Sequence, residues 1–226
     1  MRSAGNDIVA LRSVNKERTS QFRFYSKILS ASEQSLYHQP QWTNLPFENY
    51  VWLLWSVKES VYKYLKRSIP ELVFSPTKIC IQNITIPAAN LMNKLKCVQW
   101  QNTGQEEAFY CGTIIYGSHV LYSRSKITDD WMATVANDDE KFDNVCWGIQ
   151  SIEDAGYYNQ SKAARTLLLQ KLYTFFPFEM QVKKSLIGYP VICKGNQDMY
   201  IPVSLSHDDC LVAYSLLLNS DNYSLD

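Results

Sequence analysis

The chain has no excess of charge of either sign. Its 226 residues include 22 Lys and Arg and 22 Asp and Glu, so the formal net charge is zero. A neutral protein has no bulk field that gathers nucleic acid or anionic lipid, so neither is expected as a partner. Any charged partner must be met by a local patch of residues.

Cysteine pairs and long apolar runs are also missing. The six cysteines contain no Cys-x-x-Cys pair, so buried reduced thiols are expected rather than a disulfide framework or a structural zinc site. No apolar run approaches the roughly 18 residues that a membrane-spanning helix needs, and no leader-like pattern opens the chain. We therefore expect a cytoplasmic enzyme or binding protein. The cysteines are Cys80, Cys97, Cys111, Cys146, Cys193 and Cys210.

Common nucleotide-binding and nucleophile motifs are absent too. The sequence has no Walker A loop, no Gly-x-Gly-x-x-Gly and no Gly-x-Ser-x-Gly, which argues against a P-loop enzyme, a dinucleotide-binding fold and an α/β-hydrolase. RNA-binding aromatic motifs are missing despite 15 tyrosines. The function has to be sought in other patterns.

What the chain does contain is an alternation of helical and antiparallel-strand patterns. A Gly117-Ser118 turn between two β-branched runs predicts a hairpin, and residues 161–176 have the pattern of an amphipathic helix. No strand–helix–strand repeat of a doubly wound sheet is present, so an α+β class is predicted. The acidic, polar segment 139–144 is the best candidate linker.

The most informative stretch is the predicted helix 52–67. Leu54, Val57, Val61 and Leu65 form one apolar stripe. A second face carries Trp55, Glu59 and Lys63, which places a carboxylate and an ammonium one turn apart below an aromatic ring. This pattern suits a divalent-metal ligand beside a phosphate-binding cation, or equally a solvated ion pair worth about 0.3–0.5 kcal/mol.

Two further patterns precede this helix. Asp7 lies in a short apolar strand pattern at 5–12, where it is either a turn cap or a metal ligand. Between positions 10 and 30 one acid, Glu17, is accompanied by basic residues. This run is either a docking patch for an acidic partner or a solvated helix face. The basic residues are Arg12, Lys16, Arg18, Arg23 and Lys27.

Four segments together resemble the 4′-phosphopantetheinyl transferase superfamily. They are Gly5-Asn6-Asp7-Ile8-Val9, the run FYSKILSASE at 24–33, WSVKES at 55–60 with Lys63, and SLSH at 204–207. The resemblance implies a phosphopantetheinyl-transferase-like α+β pseudodimer of two similar halves. Residues 1–138 would be the metal-binding and catalytic half, 139–144 the linker, and 145–226 the second half.

The order of the motifs implies that the halves are swapped relative to the larger, surfactin-type enzymes, in which the Ser-His half comes first. The competing interpretation is a small holo-acyl-carrier-protein synthase with a large insertion. The pseudodimer predicts a monomer, and the inserted synthase predicts a trimer.

The resemblance also implies a reaction. Phosphopantetheine would pass from coenzyme A to a serine of apo-acyl carrier protein in fatty acid or polyketide biosynthesis, with release of 3′,5′-ADP. Asp7 and Glu59 would bind Mg²⁺, Glu59 would act as the base, and Lys63 would hold the pyrophosphate with Lys58 nearby. Ser206 and a protonated His207 would contact the adenosine 3′-phosphate. The carrier would dock on Arg12, Arg23, Phe24 and Lys27.

The sequence departs from the family pattern at several positions. Val9 stands where the larger enzymes have a third acid, and Tyr189 and Gln170 stand where Lys and Arg are usual. Two other hypotheses remain open. One is a non-catalytic carrier-protein or coenzyme A binding module on the same fold, and the other is an unrelated α+β interaction protein in which Glu59 and Lys63 form only a surface ion pair.

Overall fold

The computed structural model describes residues 3–87, 100–101 and 109–218 and has a mixed α+β architecture. Cys97 lies outside the described residues. The described α-helices are α1 (Lys16–Thr19), α2 (Phe22–Tyr25), α3 (Ala31–Tyr37), α4 (Phe47–Lys66) and α5 (Tyr157–Leu172). Within these residues no helix is long and apolar enough to cross a membrane.

The strands form three antiparallel sheets. A five-stranded sheet in the order β1-β6-β5-β4-β2 supports α4, and a four-stranded sheet in the order β11-β12-β7-β3 supports α5. A smaller sheet has the order β10-β9-β8. The strands are β1 (Gly5–Ala10), β2 (Cys80–Thr85), β3 (Trp100–Gln101), β4 (Tyr110–Tyr116), β5 (His119–Ile127), β6 (Trp131–Asn137), β7 (Val145–Ser151), β8 (Gln181–Lys184), β9 (Pro190–Lys194), β10 (Gln197–Asp198), β11 (Val203–Asp208) and β12 (Leu211–Leu217).

Elements with a strong local signal agree with the sequence prediction. The stripe Leu54, Val57, Val61 and Leu65 is at most 1% exposed, and each such side chain contributes about 1.5–3 kcal/mol by burial. The β4–β5 hairpin turns at Gly117, whose φ of 57° is the left-handed conformation that favours glycine. Segment 139–144 is mostly exposed, but Phe142 within it is buried and only 2% exposed. The division into halves remains a prediction.

The contact between β1 and α4 is a backbone-to-backbone contact. A Cβ atom at Gly5 would overlap the carbonyl oxygen of Ser60 and lie 2.8 Å from the backbone nitrogen of Tyr64. The Ser60 hydroxyl donates to the Ser56 carbonyl at 2.8 Å and to the Thr134 carbonyl at 3.2 Å. Only glycine and small residues allow this spacing, which sets β1 directly against the helix.

A buried ion pair joins α3, α4 and β2. Lys58 and Glu33 are both fully buried, and Lys58 Nζ lies 2.6 Å from Glu33 Oε2. Glu33 also closes a capping box by accepting from the Ser30 N–H at 2.8 Å, and its Oε1 accepts from the Ile81 N–H at 3.1 Å. Burial lowers the pKa of Lys58, and the neighbouring Glu33 opposes this shift. The pair therefore fixes α3, α4 and β2 together.

Side chains of β11 complete the edge of β1 that faces away from β6. Ser204 Oγ accepts from the Asn6 N–H at 3.2 Å, and Ser206 Oγ accepts from Asn6 Nδ2 at 2.7 Å. Two residues further along, Asp208 Oδ2 accepts from the Ala10 N–H at 2.8 Å. We call this row of contacts the β1–β11 seam. It joins the two large sheets through side chains rather than a backbone ladder.

The variant Gly5→Ala should separate β1 from α4. The added methyl meets backbone atoms that cannot rotate away, so we expect a loss of about 3 kcal/mol in the free energy of unfolding. Urea denaturation measures it. Gly117→Ala is the control, because nothing lies within 4 Å of its Cβ and only backbone strain of about 1 kcal/mol is expected. Equal losses in the two variants would contradict the close contact.

The variant Lys58→Met should leave the Glu33 carboxylate buried without its cation. We expect a loss of about 3–5 kcal/mol in the free energy of unfolding, again measured by urea denaturation. The double variant Glu33→Gln/Lys58→Met leaves no unpaired charge and should be more stable than Lys58→Met alone. Lys78→Met removes an exposed lysine and should be nearly neutral. A double variant as unstable as the sum of the single variants would refute the coupling.

Candidate active site

The ends of β1, α4 and β11 border a cleft of about 580 Å³. One part of its wall is charged or polar and the other is apolar. The charged and polar residues are Asp7, Arg18, Glu59, Lys63, Ser206, His207 and Asp208, and the main apolar residues are Val14, Phe24, Trp52, Trp55 and Leu205. A cleft with a charged end and an aromatic end suits a ligand with both kinds of group.

Asp7, Glu59 and Lys63 meet in the cleft. Lys63 Nζ lies 3.1 Å from Asp7 Oδ1 and 3.8 Å from Glu59 Oε1, and it also donates to the Asn6 carbonyl at 3.0 Å. The lysine and Glu59 are each about a quarter exposed, so ligand can reach them from the cleft. Three residues that the sequence selected separately therefore form one cluster.

Both carboxylates have raised pKa values. Burial raises the pKa of Asp7, and the charge and hydrogen bond of Lys63 oppose the shift. Burial also raises the pKa of Glu59, where Lys63 opposes the shift and the charge of Asp7 adds to it. Glu59 therefore has the partly desolvated environment that is typical of carboxyl groups in active sites.

The cluster fits a divalent cation. Oδ2 of Asp7 is buried and has no hydrogen-bond partner among the described residues, which is an orphaned acceptor that a cation would satisfy. Two carboxylates are hard oxygen ligands of the kind that Mg²⁺ binds, and Mg²⁺ takes its other ligands from water and phosphate. Within residues 3–87, 100–101 and 109–218 no group of three or more His, Cys, Asp or Glu has the geometry of a metal site.

The Ser-His segment borders the cleft in a form that the sequence did not predict. Ser206 Oγ takes part in the β1–β11 seam by accepting from Asn6. His207 lines the cleft with its ring 5.7 Å from that of Tyr157. Burial and the charge of Lys63 lower the pKa of His207, which favours the neutral imidazole over the expected imidazolium.

Lys58 does not reach the cleft. Its ammonium is fully buried, bound to Glu33 and to the Ile28 carbonyl at 2.7 Å. Residues 58 and 59 are adjacent and point about 100° apart around the helix, so only Glu59 faces the ligand side. This placement corrects the expectation that Lys58 contacts the coenzyme.

The predicted carrier-docking residues lie near the cleft but not inside it, except Phe24. The Phe24 ring lines the cleft, 6.0 Å from Trp52 and 5.1 Å below the Arg18 guanidinium. Arg23 and Lys27 are exposed on the same segment. Arg12 is also exposed and pairs with Asp130 at 2.6 Å, so a partner would have to compete with that acid.

Among the cleft-lining residues that were not selected from the sequence are Arg18, Trp52 and Asp208. Trp52 lies three residues before Trp55, so helical spacing was a usable signal, and Arg18 belonged to the basic run. Asp208 gave no signal, because its position follows from the β1–β11 seam, which joins residues about 200 apart.

Tyr189 and Gln170, which depart from the family pattern, do not line the cleft. The Tyr189 ring packs 4.5 Å from the Arg67 guanidinium, and Gln170 is exposed.

Comparison with known proteins identifies a family for this chain. The family model described as "4'-phosphopantetheinyl transferase superfamily" matches residues 3–119, just over half of the chain. The match includes Asp7, Glu59 and Lys63, and it ends before the Ser-His segment. No curated protein and no solved structure matches this chain.

If the Asp7–Glu59 pair binds Mg²⁺, that binding should weaken as the pH falls. The pKa values of Asp7 and Glu59 are raised, so these carboxylates protonate, and stop binding metal, at a higher pH than ordinary carboxyl groups do. We expect the Mg²⁺ dissociation constant to rise by up to about tenfold per pH unit for each displaced proton, measured by calorimetry from about pH 8 to about pH 5.5. An affinity independent of pH over this range would contradict the site.

The variant Lys63→Met tests the cause of the same effect. Lys63 holds both pKa values down, so its removal should move the loss of Mg²⁺ binding to higher pH. Lys78→Met is the control and should leave the profile unchanged.

In the metal-free protein the pH dependence of fold stability has the opposite sign. A raised pKa of Asp7 stabilises the fold below the pKa that Asp7 has in the unfolded chain, and that stability is lost as the pH rises through the pKa in the folded protein.

Proposed function

Because this chain belongs to the 4′-phosphopantetheinyl transferase superfamily, we propose that it transfers 4′-phosphopantetheine from coenzyme A to a serine hydroxyl of an apo-acyl carrier protein. The reaction depends on Mg²⁺ and releases 3′,5′-ADP. Membership of the family supports phosphopantetheinyl transfer in general, and the acceptor, the metal and the released product are the finer proposal. The observation that carries it is the meeting of Asp7, Glu59 and Lys63 in one cleft.

The transfer is a displacement at phosphorus. The serine Oγ forms a bond to the phosphorus that bears pantetheine, and the bond from that phosphorus to the bridging oxygen of the pyrophosphate breaks. The adenosine 3′,5′-bisphosphate leaves with the electron pair of that bond. Glu59 accepts the serine proton, directly or through a water molecule, and burial raises its pKa, which makes it a stronger base than an ordinary carboxylate.

The charged groups of the cleft bind the pyrophosphate and orient it. Lys63 supplies a compact positive charge one helical turn from Glu59. Asp7 and Glu59 would hold Mg²⁺, which offsets the negative charge on the phosphate oxygens when it is bound. His207 and Ser206 contribute neutral hydrogen-bonding groups on the coenzyme side.

The acidic carrier protein docks beside the aromatic end of the cleft. Phe24 forms the contact nearest the cleft, and Arg23 and Lys27 lie exposed on the same segment. Arg12 joins this surface if its pairing with Asp130 is exchanged for the carrier. Opposite charges at such a surface mainly accelerate association and select the partner.

Two similar halves in swapped order, acting as a monomer, are part of the proposal. In the first unit the opening strand β1 is followed by α4 and pairs with β6, the last strand of its meander. In the second unit β7 is followed by α5 and pairs with β12, the last strand described there. The matching connectivity supports two related units, and the family match to residues 3–119 supports the catalytic half coming first.

Intact-mass spectrometry tests the reaction. An apo-acyl carrier protein incubated with this protein, coenzyme A and Mg²⁺ should gain the mass of one phosphopantetheine group. Glu59→Gln keeps the size of the side chain but removes the base and a metal ligand, so the rate should fall by at least about 100-fold. Glu71→Gln changes an exposed carboxylate outside the cleft and should leave the rate unchanged.

Two results would count against this function. A Glu59→Gln variant as active as the unchanged protein would remove Glu59 from the chemistry. No mass gain with fatty-acid and polyketide carriers, together with stabilisation of the fold by coenzyme A, would favour a non-catalytic binding module on the same fold.

A further inference from the structure

Arg12 lies at the rim of the cleft. It follows β1, its side chain is 76% exposed, and the next residues, Ser13 and Val14, line the cleft. It belongs to a group of exposed cations that an approaching carrier protein would meet. We call this group the basic surface, and its members are Arg12, Lys16, Arg18, Arg23 and Lys27.

Asp130 binds the Arg12 side chain from within the chain. Arg12 Nε donates to Asp130 Oδ1 at 2.7 Å, and Arg12 Nη2 lies 2.6 Å from the same oxygen. Hydrogen bonds between an ionised donor and an ionised acceptor are among the stronger ones in proteins. The Asp130 carboxylate therefore takes the place that an acid of a partner would take.

The backbone holds Asp130 in this position. Its carbonyl accepts from the Leu11 N–H at 2.8 Å, and its own N–H donates to Thr128 Oγ1 at 3.3 Å. The neighbouring Trp131 pairs with Ala10 in the ladder between β1 and β6. Because the turn before β6 is fixed against the end of β1, the acid is already ordered where it meets Arg12.

This internal pairing removes the benefit that an acid of the partner would bring. A carrier acid that binds Arg12 replaces one exposed ion pair with another, and exposed pairs contribute little and are screened by salt. A carrier with no acid at this position leaves the Arg12–Asp130 pair intact, so no cation loses its partner. Carriers of both kinds are therefore treated alike at Arg12.

Arg23 and Lys27 are in a different situation. Both are exposed, and none of the ion pairs among the described residues involves either of them. They flank Phe24, which lines the cleft. An acid of the carrier forms a new pair with one of these cations without breaking an existing one, so these two positions distinguish acidic partners from neutral ones.

We propose that Asp130 is a specificity-determining residue for the acceptor. By occupying Arg12 it removes that arginine from acceptor recognition, so the enzyme accepts acidic carrier proteins with or without an acid opposite Arg12 and selects them through Arg23 and Lys27. The inference rests on the proposed function and names the acceptor class of that same site.

A double-mutant cycle tests the pairing. Initial rates of carrier mass gain at saturating coenzyme A give kcat/KM for the carrier in the unchanged protein, Arg12→Gln, Asp130→Asn and the double variant. Asp130→Asn exposes the charge of Arg12 and should raise kcat/KM about threefold through a lower KM for the carrier. Arg12→Gln should reduce kcat/KM at least about threefold more in the Asp130→Asn background than in the unchanged protein. Equal effects in the two backgrounds would overturn the inference.

Asp129→Asn is the matched control. Asp129 is the preceding residue, is exposed, and takes part in none of the ion pairs among the described residues. The variant changes the net charge by the same amount, so it reproduces any long-range attraction of an acidic carrier but leaves Arg12 paired. A rise in kcat/KM as large as that of Asp130→Asn would assign the effect to net charge and refute the inference.

A series of carrier variants tests the acceptor range. Each exposed acid of one carrier protein is changed in turn to the corresponding amide, and kcat/KM is measured with the unchanged enzyme and with Asp130→Asn. We expect one carrier acid to matter at least about threefold more to Asp130→Asn than to the unchanged enzyme, because only the variant has an unpaired Arg12. The same spread of kcat/KM with both enzymes would refute the wider range.

Calorimetry of apo-carrier binding separates this inference from the proposed reaction. Carrier binding that follows the same cycle without any mass gain would support the role of Asp130 and refute the transfer. Mass gain without coupling between Arg12 and Asp130 would support the transfer and refute the role of Asp130. Neither binding nor mass gain would refute both.

Discussion

The close contact of β1 with α4 is the constraint on which the rest of the structure depends. Because Gly5 has no side chain, the strand lies against the backbone of Ser60 and Tyr64. This spacing brings Asp7 within 3.1 Å of Lys63, although 56 residues separate them in the chain. The other edge of β1 contacts β11 through the β1–β11 seam. The strand β1 thus connects the carboxylates of Asp7 and Glu59 with the polar side chains of β11.

Lys58 and Glu59 are adjacent on α4 but have different surroundings, because successive residues of a helix point about 100° apart. Lys58 points inward, where Glu33 neutralises it and holds α3 and β2 in position. Glu59 points to the cleft, where it meets Lys63. A buried pair of this kind adds little net stability compared with an apolar core of the same shape, but it permits few alternative packings. Adjacent positions therefore hold a lysine that fixes the packing and a glutamate that faces the cleft.

Local patterns predicted local structure, and the failures lie where distant segments meet. The apolar stripe of α4, the capping Ser30 and the Gly117 turn are each read within a few residues, so they were predictable. The basic run between positions 10 and 30 contains two short helices, α1 and α2, and the strands β7 and β8 were not predicted. In the site, Asp7, Glu59 and Lys63 followed from their residue types and family motifs. The inward turn of Lys58 and the position of Asp208 depend on tertiary contacts that no window of sequence contains.

The end of α4 has a consequence for the behaviour of the whole chain. Arg67 follows the last helical residue, and its guanidinium donates to the carbonyls of Pro190 and Val203 beneath the Tyr189 ring. Burial lowers the pKa of Arg67 to about 10, so the group keeps its charge at neutral pH. The C-terminal end of α4 is thereby bonded to the first residues of β9 and β11. We expect these two parts of the chain to unfold together, and a small molecule bound in the cleft to stabilise both.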